Sequence, residues 1–258
     1  MTQTSIPRPE FPRPQFFRGE ERWLNLNGTW EYQTDRDLSG EAEGCHKGAP
    51  FSETITVPFC RESELSGIGD KDFCDGAWYR RRVTLPVDWC GGRVLLHIGA
   101  CDYVTRVYVN GRLIGSHIGG YVSFSMDITE ALVSGENDIT IGVEDHVRSS
   151  SQPTGKQAES LHSCGCVYTR TTGIWQTVWL EAVPSEYIRS LSVTVDLQSA
   201  HVAVTPPLEG CVLFEGKKLP LVNGAVTLTP EEPRLWSPED PHLYDFVVET
   251  AQDRVTSY

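Results

Sequence analysis

The sequence predicts an all-β protein made of two β-sandwiches, and three observations carry that expectation. Apolar residues alternate with polar ones at period two along several short runs. Asn-Gly dipeptides sit between such runs, where a two-residue hairpin turn needs positive φ. Helical periodicity is almost absent, while 23 Gly and 16 Pro in 258 residues punctuate the chain with turns. Strands separated by turns, with so little helix, argue against a parallel α/β sheet.

The elements follow in order. Residues 1–20, rich in Pro and Arg, are expected to run as an extended arm over the surface. Val94-Leu95-Leu96-His97-Ile98 reads as a strand buried on both faces. Arg106-Val107-Tyr108-Val109 and Arg112-Leu113-Ile114 flank Asn110-Gly111, which predicts a hairpin. The run from Asp127 to Val133 is the best helix candidate: Asp127 can cap free amides, Glu130 follows three residues on, and Gly135 stops it. Ile139, Ile141 and Val143 alternate, as do Leu191, Val193, Val195 and Leu197, each set predicting a half-buried strand. Asn223-Gly224, between Leu221-Val222 and Ala225-Val226-Thr227-Leu228, predicts a second hairpin. Trp30, Trp78, Trp175, Trp179 and Trp236 lie in strand or turn signatures and are expected to pack in cores.

A boundary is expected at Ala182-Val183-Pro184-Ser185, because long, Trp- and Gly-rich β sequence gives way there to shorter, cleaner alternation. Residues 1–183 then form a jelly-roll-like sandwich preceded by the arm, and 184–258 a smaller immunoglobulin-like one.

A net charge of −13 and a pI near 5.0 would repel phosphate backbones and anionic lipid, so nucleic-acid and membrane-surface binding are set aside. The start has no apolar signal-peptide run, and the expected location is cytoplasmic. The 8 cysteines show no C-x-x-C knuckle, only the C-x-C of Cys164-Gly165-Cys166, and reduced, mostly buried thiols are expected. No histidine spacing suits a metal, and no P-loop, G-x-S-x-G or dinucleotide fingerprint occurs, so neither metal nor cofactor is expected.

Several strings together resemble the sugar-binding and immunoglobulin-like domains of glycoside hydrolase family 2, of the β-galactosidase and β-glucuronidase kind. They are Leu26-Asn27-Gly28-Thr29-Trp30, Val57-Pro58-Phe59 with Glu62-Ser63, and Trp78-Tyr79-Arg80-Arg81. The longest runs from Leu96 through Cys101-Asp102-Tyr103, Val109-Asn110-Gly111 and Gly119-Gly120-Tyr121 to Gly135-Glu136-Asn137. Gly173-Ile174-Trp175-Gln176-Thr177-Val178-Trp179 and Leu235-Trp236-Ser237-Pro238 follow in family order. The first domain is then expected to be the galactose-binding-domain-like jelly roll of that family.

The resemblance implies a retaining glycosidase whose two catalytic glutamates lie on a (β/α)8 barrel that these residues do not contain. The catalytic residues are therefore expected to be none of this chain's. The resemblance also implies loops that reach over the barrel mouth, and two polar loops are the candidates. One carries Arg61, Glu62 and Ser63; the other carries Lys156, Gln157, His162, Tyr168 and Arg170. Galactosidase and glucuronidase members place an acidic residue shortly before the Gly-Ile pair, whereas Val167-Tyr168-Thr169-Arg170-Thr171-Thr172 holds no carboxylate.

The leading reading is a non-catalytic accessory part of such a hydrolase. Its partners would be a β-glycoside in the full enzyme and the parent's barrel. A stand-alone carbohydrate-binding module and a structural or homo-oligomer-forming domain are the alternatives.

Overall fold

Period-two alternation becomes strand throughout the computed structural model, which describes residues 6–89, 91–149 and 151–258. The chain divides into two compact units: residues 1–10 with 23–182, and residues 11–22 with 183–258.

The first unit holds β1 (Trp23–Asn25), β2 (Gly28–Thr34), β3 (Glu53–Val57), β4 (Gly76–Thr84), β5 (Arg93–Ile98) and β6 (Cys101–Asp102). It continues with β7 (Val104–Val109), β8 (Arg112–Ile118), β9 (Phe124–Asp127), β10 (Glu136–Glu144), β11 (Gly173–Ile174) and β12 (Val178–Val183). A six-stranded sheet in the order β3-β2-β4-β10-β7-β8 lies over a four-stranded sheet, β1-β12-β5-β9. Alternate residues of facing strands close the core: Ala77, Tyr79, Ile139 and Ile141 from one sheet meet Leu96, Ile98, Val178 and Leu180 from the other. β5 is buried on both faces, as the run Val94-Leu95-Leu96-His97-Ile98 predicts. On the side away from Leu96, its His97 lies 2.8 Å from Glu181 and stacks on Trp179.

The Asn110-Gly111 hairpin forms as expected, with φ of 51° and 77° joining β7 to β8. The expected helix after Asp127 shrinks to one 3-10 turn, Thr129–Ala131. Asp127 accepts the Thr129 amide at 3.0 Å, which satisfies a turn rather than starting a longer helix. On the outer face of β4, the buried Arg80 donates to the carbonyls of Cys45 and Ala49 and lies 4.0 Å over the Phe51 ring.

The second unit holds β13 (Ser190–Val195), β14 (Ala200–Thr205), β15 (Gly210–Phe214), β16 (Lys217–Pro220), β17 (Ala225–Leu228), β18 (Phe246–Thr250) and β19 (Arg254–Ser257). Sheets β13-β14-β17 and β16-β15-β18-β19 enclose a core of Val202, Val204, Val212, Phe214, Phe246, Val248 and Val255. Both units are thus all-β sandwiches.

Residues 1–5 of the expected arm lie outside the described residues. Pro7 and Arg8 carbonyls accept from Asn27 and Asn25 of the first unit. Phe16 is 4% exposed within the second core, and Phe17 pairs with Thr256 through two backbone hydrogen bonds. Arg18 meets Asp253 at 3.0 Å, both side chains buried.

Three further expectations change. The Asn223-Gly224 turn closes a hairpin only one pair long, Val222 opposite Ala225; beyond it Ala225–Leu228 pairs with β14 while β16 before the turn pairs with β15, so the turn passes the chain between sheets. β13 is a strand whose alternation does not track burial: Val195 is 71% exposed and Leu197, beyond its end, 73%. As an edge strand it borders an apolar groove of about 300 Å³ shared with Leu235 and Leu243. Trp236 lines that groove at 61% exposure, and Trp175 is half-buried, whereas Trp30, Trp78 and Trp179 are core residues. Among the described residues no helix is long and apolar enough to cross a membrane.

Candidate functional site

Strand pairing decides which polar side chains meet. β6 pairs antiparallel with β11, which sets Asp102 opposite Gly173 and brings a buried carboxylate beside the end of the loop spanning 152–172. Asp145 follows β10, held where its amide donates to the Asp75 carbonyl at 2.9 Å. Glu62 comes from the loop after β3. The three are 0%, 1% and 4% exposed, so partners within the protein must offset the cost of their burial.

Each is met by a group from the long loop or its end. Thr172 donates its amide to Glu62 Oε2 at 3.2 Å and its hydroxyl to Asp145 Oδ2 at 2.8 Å. Gln152 Nε2 donates to Asp145 Oδ1 at 2.8 Å. Gln157 Nε2 donates to Asp102 Oδ2 at 2.7 Å and lies 3.2 Å from the Tyr121 hydroxyl, while its Oε1 accepts the Thr171 amide at 2.7 Å. Asp102 Oδ1 has no hydrogen-bond partner.

The electrostatics follow from the enclosure. Burial, then the neighbouring Asp145, pushes the Asp102 carboxyl up to about 7. Burial also raises Glu62 and Asp145, against the hydrogen bonds that favour their charged forms. The arrangement anchors a loop by its polar side chains. Among the described residues no three His, Cys, Asp or Glu side chains group in a way that would hold a metal ion.

The residues singled out from the sequence differ in exposure. Lys156, His162 and Tyr168 are exposed on the loop, with Tyr168 at 59%. Arg61, Glu62 and Arg170 are buried. Arg61 donates to the Asp72 carbonyl at 2.7 Å and pairs with Asp70, and Glu62 accepts from Thr172. Arg170 donates to the Ser160 and Lys71 carbonyls and stacks 4.2 Å over Phe73. Ser63 caps the short Glu64–Ser66 turn, accepting from the Leu65 amide at 3.3 Å. Gln157 bridges the loop to the buried carboxylates.

Sequence reasoning missed Asp102, Asp145, Thr172 and Tyr121 as members of this cluster. Asp102 carried a readable signal, a carboxylate directly after the apolar run Ile98-Gly99-Ala100-Cys101. Asp145 carried none, since nothing local says that Thr172 will reach it. Gly120 completes the cluster: a Cβ there would stand 2.3 Å from Asp102 Oδ1, and its carbonyl accepts the Trp175 indole N–H at 2.8 Å.

The sequence model described as "Glycosyl hydrolases family 2, sugar binding domain" matches residues 24–184, more than half of the chain. The chain belongs to glycosyl hydrolases family 2. A second family 2 model matches residues 211–258. The family 2 chain is 28% identical over 254 residues to a β-glucuronidase of Paenibacillus borealis, covering 87% of this chain and 42% of that protein. It is 28% identical over 251 residues to a β-galactosidase of Thermoanaerobacter pseudethanolicus, covering 87% of this chain and 32% of that one. The crystal structure of Ruminococcus gnavus β-glucuronidase shares its fold, with a TM-score of 0.74 at 22% identity over 93% of this chain and 44% of that one. The family 2 chain therefore spans less than half the length of these relatives.

Proposed function

We propose that the chain is the non-catalytic N-terminal part of a retaining β-glycosidase, one whose two catalytic carboxylates lie on a barrel outside these 258 residues. The observation that carries this reading is the family match across both units of a chain whose alignment covers only 42% of the β-glucuronidase it resembles. Retention needs two carboxyl groups about 5–5.5 Å apart on either side of the scissile bond. Glu62, Asp102 and Asp145 are assigned to a different task, because each accepts a hydrogen bond that fixes the long loop.

In this reading Lys156, His162 and Tyr168 face the sugar of the complete enzyme. Gln157, Arg170, Arg61, Glu62 and Ser63 position the two loops. β-Glucuronides and β-galactosides are the substrate classes to test, because the relatives' names carry them.

The experiment is to assay the 258-residue chain and any longer open frame at its locus on nitrophenyl β-glucuronide and β-galactoside. The chain alone is expected to turn over neither, and the longer protein at least one. Turnover by the chain alone overturns the non-catalytic assignment. A stop codon directly after Tyr258 overturns the accessory reading, and glycan binding by the isolated sandwiches then takes its place.

A further inference from the structure

The described cysteines differ in environment. Of the described ones, Cys45, Cys74, Cys101 and Cys211 are buried and Cys60 is half-buried, while Cys164 and Cys166 alone are exposed. Burial pushes the Cys60 thiol up to about 11 and that of Cys101 up to about 12, which keeps both protonated and inert at neutral pH.

The exposed pair occupies one tight turn. The Cys164 amide donates to the Val167 carbonyl at 3.2 Å and the Val167 amide returns a bond to Cys164 at 3.1 Å. Gly165 between the thiols has φ of 56°, and a Cβ there would meet nothing within 4 Å. That glycine answers to backbone conformation, since space is open around it. The turn stands on a fixed stem: Tyr168 donates its amide to the Lys156 carbonyl and Ala158 donates to the Tyr168 carbonyl, both at 2.7 Å. Consecutive Cα atoms lie about 3.8 Å apart, so residues two apart across a tight turn are separated by roughly 5.5 Å, inside the usual disulfide span of about 4.4–6.8 Å.

We propose that Cys164 and Cys166 form a reversible thiol–disulfide couple at the tip of the 152–172 loop, oxidised by small-molecule disulfides and reduced by thiols. This goes beyond the glycosidase reading and stands whether or not that reading does. One cysteine thiolate attacks a sulfur of the small disulfide, forming a mixed disulfide and expelling one thiolate, which takes up a proton. The second cysteine, as thiolate, attacks the protein-side sulfur, closing the Cys164–Cys166 bond and expelling the second thiolate. The protein loses two protons and two electrons, and one disulfide becomes two thiols. A ring closed across a single residue is strained, which favours ready reduction and places the couple among labile rather than structural disulfides.

The test equilibrates the whole chain with oxidised and reduced glutathione over a range of ratios, then alkylates free thiols and maps the peptides. Expected is the loss of two alkylatable thiols, with the bond between Cys164 and Cys166 and no accumulating glutathione adduct. Cys164→Ser and Cys166→Ser, both at exposed turn positions, should each hold a stable adduct on the remaining thiol. Wild-type chain that accumulates glutathione adducts at this turn overturns the couple. So does a bond from either residue to another cysteine, or two free thiols at the most oxidising ratio.

Discussion

Gln157 and Asp102, 55 residues apart in the chain, are joined by a 2.7 Å hydrogen bond from the glutamine amide to a carboxylate with no exposed surface. The same glutamine accepts the Thr171 amide, so one side chain ties the long loop to both the sandwich and its own far end. Replacement by Leu removes both bonds and leaves Asp102 without its donor. A loss of about 1–3 kcal/mol is expected, together with faster proteolytic cleavage between residues 152 and 172. Limited proteolysis with mapping of the first cut checks this; a first cut elsewhere counts against the clasp.

Asp102 also predicts a pH dependence. Its carboxyl sits at about 7 in the folded chain and at about 3.9 in an unfolded one. Between those values the folded protein keeps a proton the unfolded chain has released, so stability falls as pH rises through the window and levels off above it. Asp145 and Glu62, the acidic neighbours, are raised as well and act with the same sign. Asp102→Asn stays neutral at every pH, and the slope of urea-unfolding stability against pH is expected to become shallower. An unchanged slope would mean that Asp102 titrates as an ordinary carboxylate.

Gly173 is fixed from two directions. Its φ is 79°, and a Cβ would stand 2.1 Å from the Tyr79 hydroxyl, which is itself in the core. Gly173→Ala therefore combines left-handed strain with overpacking, and about 2–4 kcal/mol of destabilisation is expected. Chemical denaturation measures it. Tyr79→Phe in the same background should recover part of the loss, because it removes the obstructing oxygen.

In the second unit Asp253 accepts from Arg18 and, at 2.8 Å, from the Ile188 amide. The Arg18 and Asp253 side chains are each 3% exposed. Asp253→Ala removes the carboxylate from beside a buried guanidinium, and a loss of about 3–5 kcal/mol is expected. A calorimetric transition that stays at the wild-type temperature would show that residues 11–22 contribute little to this unit.

The groove lined by Val195, Leu197, Leu235 and Trp236 predicts binding of an apolar dye. Trp236→Ser is expected to reduce 8-anilinonaphthalene-1-sulfonate fluorescence at neutral pH without lowering thermal stability, because the ring is 61% exposed. Undiminished fluorescence would place the dye elsewhere.

Much of the scaffold was readable. The run at 94–98, apolar except for His97, is a doubly buried strand, and Asn110-Gly111 turns a hairpin because its two residues accept positive φ. Alternation failed at Val195, because it reports periodicity and not what covers the face. The second Asn-Gly turn closed a hairpin of a single pair, since turn chemistry fixes a reversal of direction but not the strand the chain joins next.

The sequence by itself determined the all-β class, the two-residue turns, the apolar cores and the family. These rest on local periodicity, local φ preference and ordered strings of residues, all of which act within a few positions of the chain. Only the tertiary structure decided that Glu62, Asp102 and Asp145 would close around Thr172 and Gln157. That cluster joins residues up to 110 positions apart, between Glu62 and Thr172. It is fixed by β6–β11 pairing and by the need to satisfy buried carboxylates, and neither is written in any short stretch of the chain.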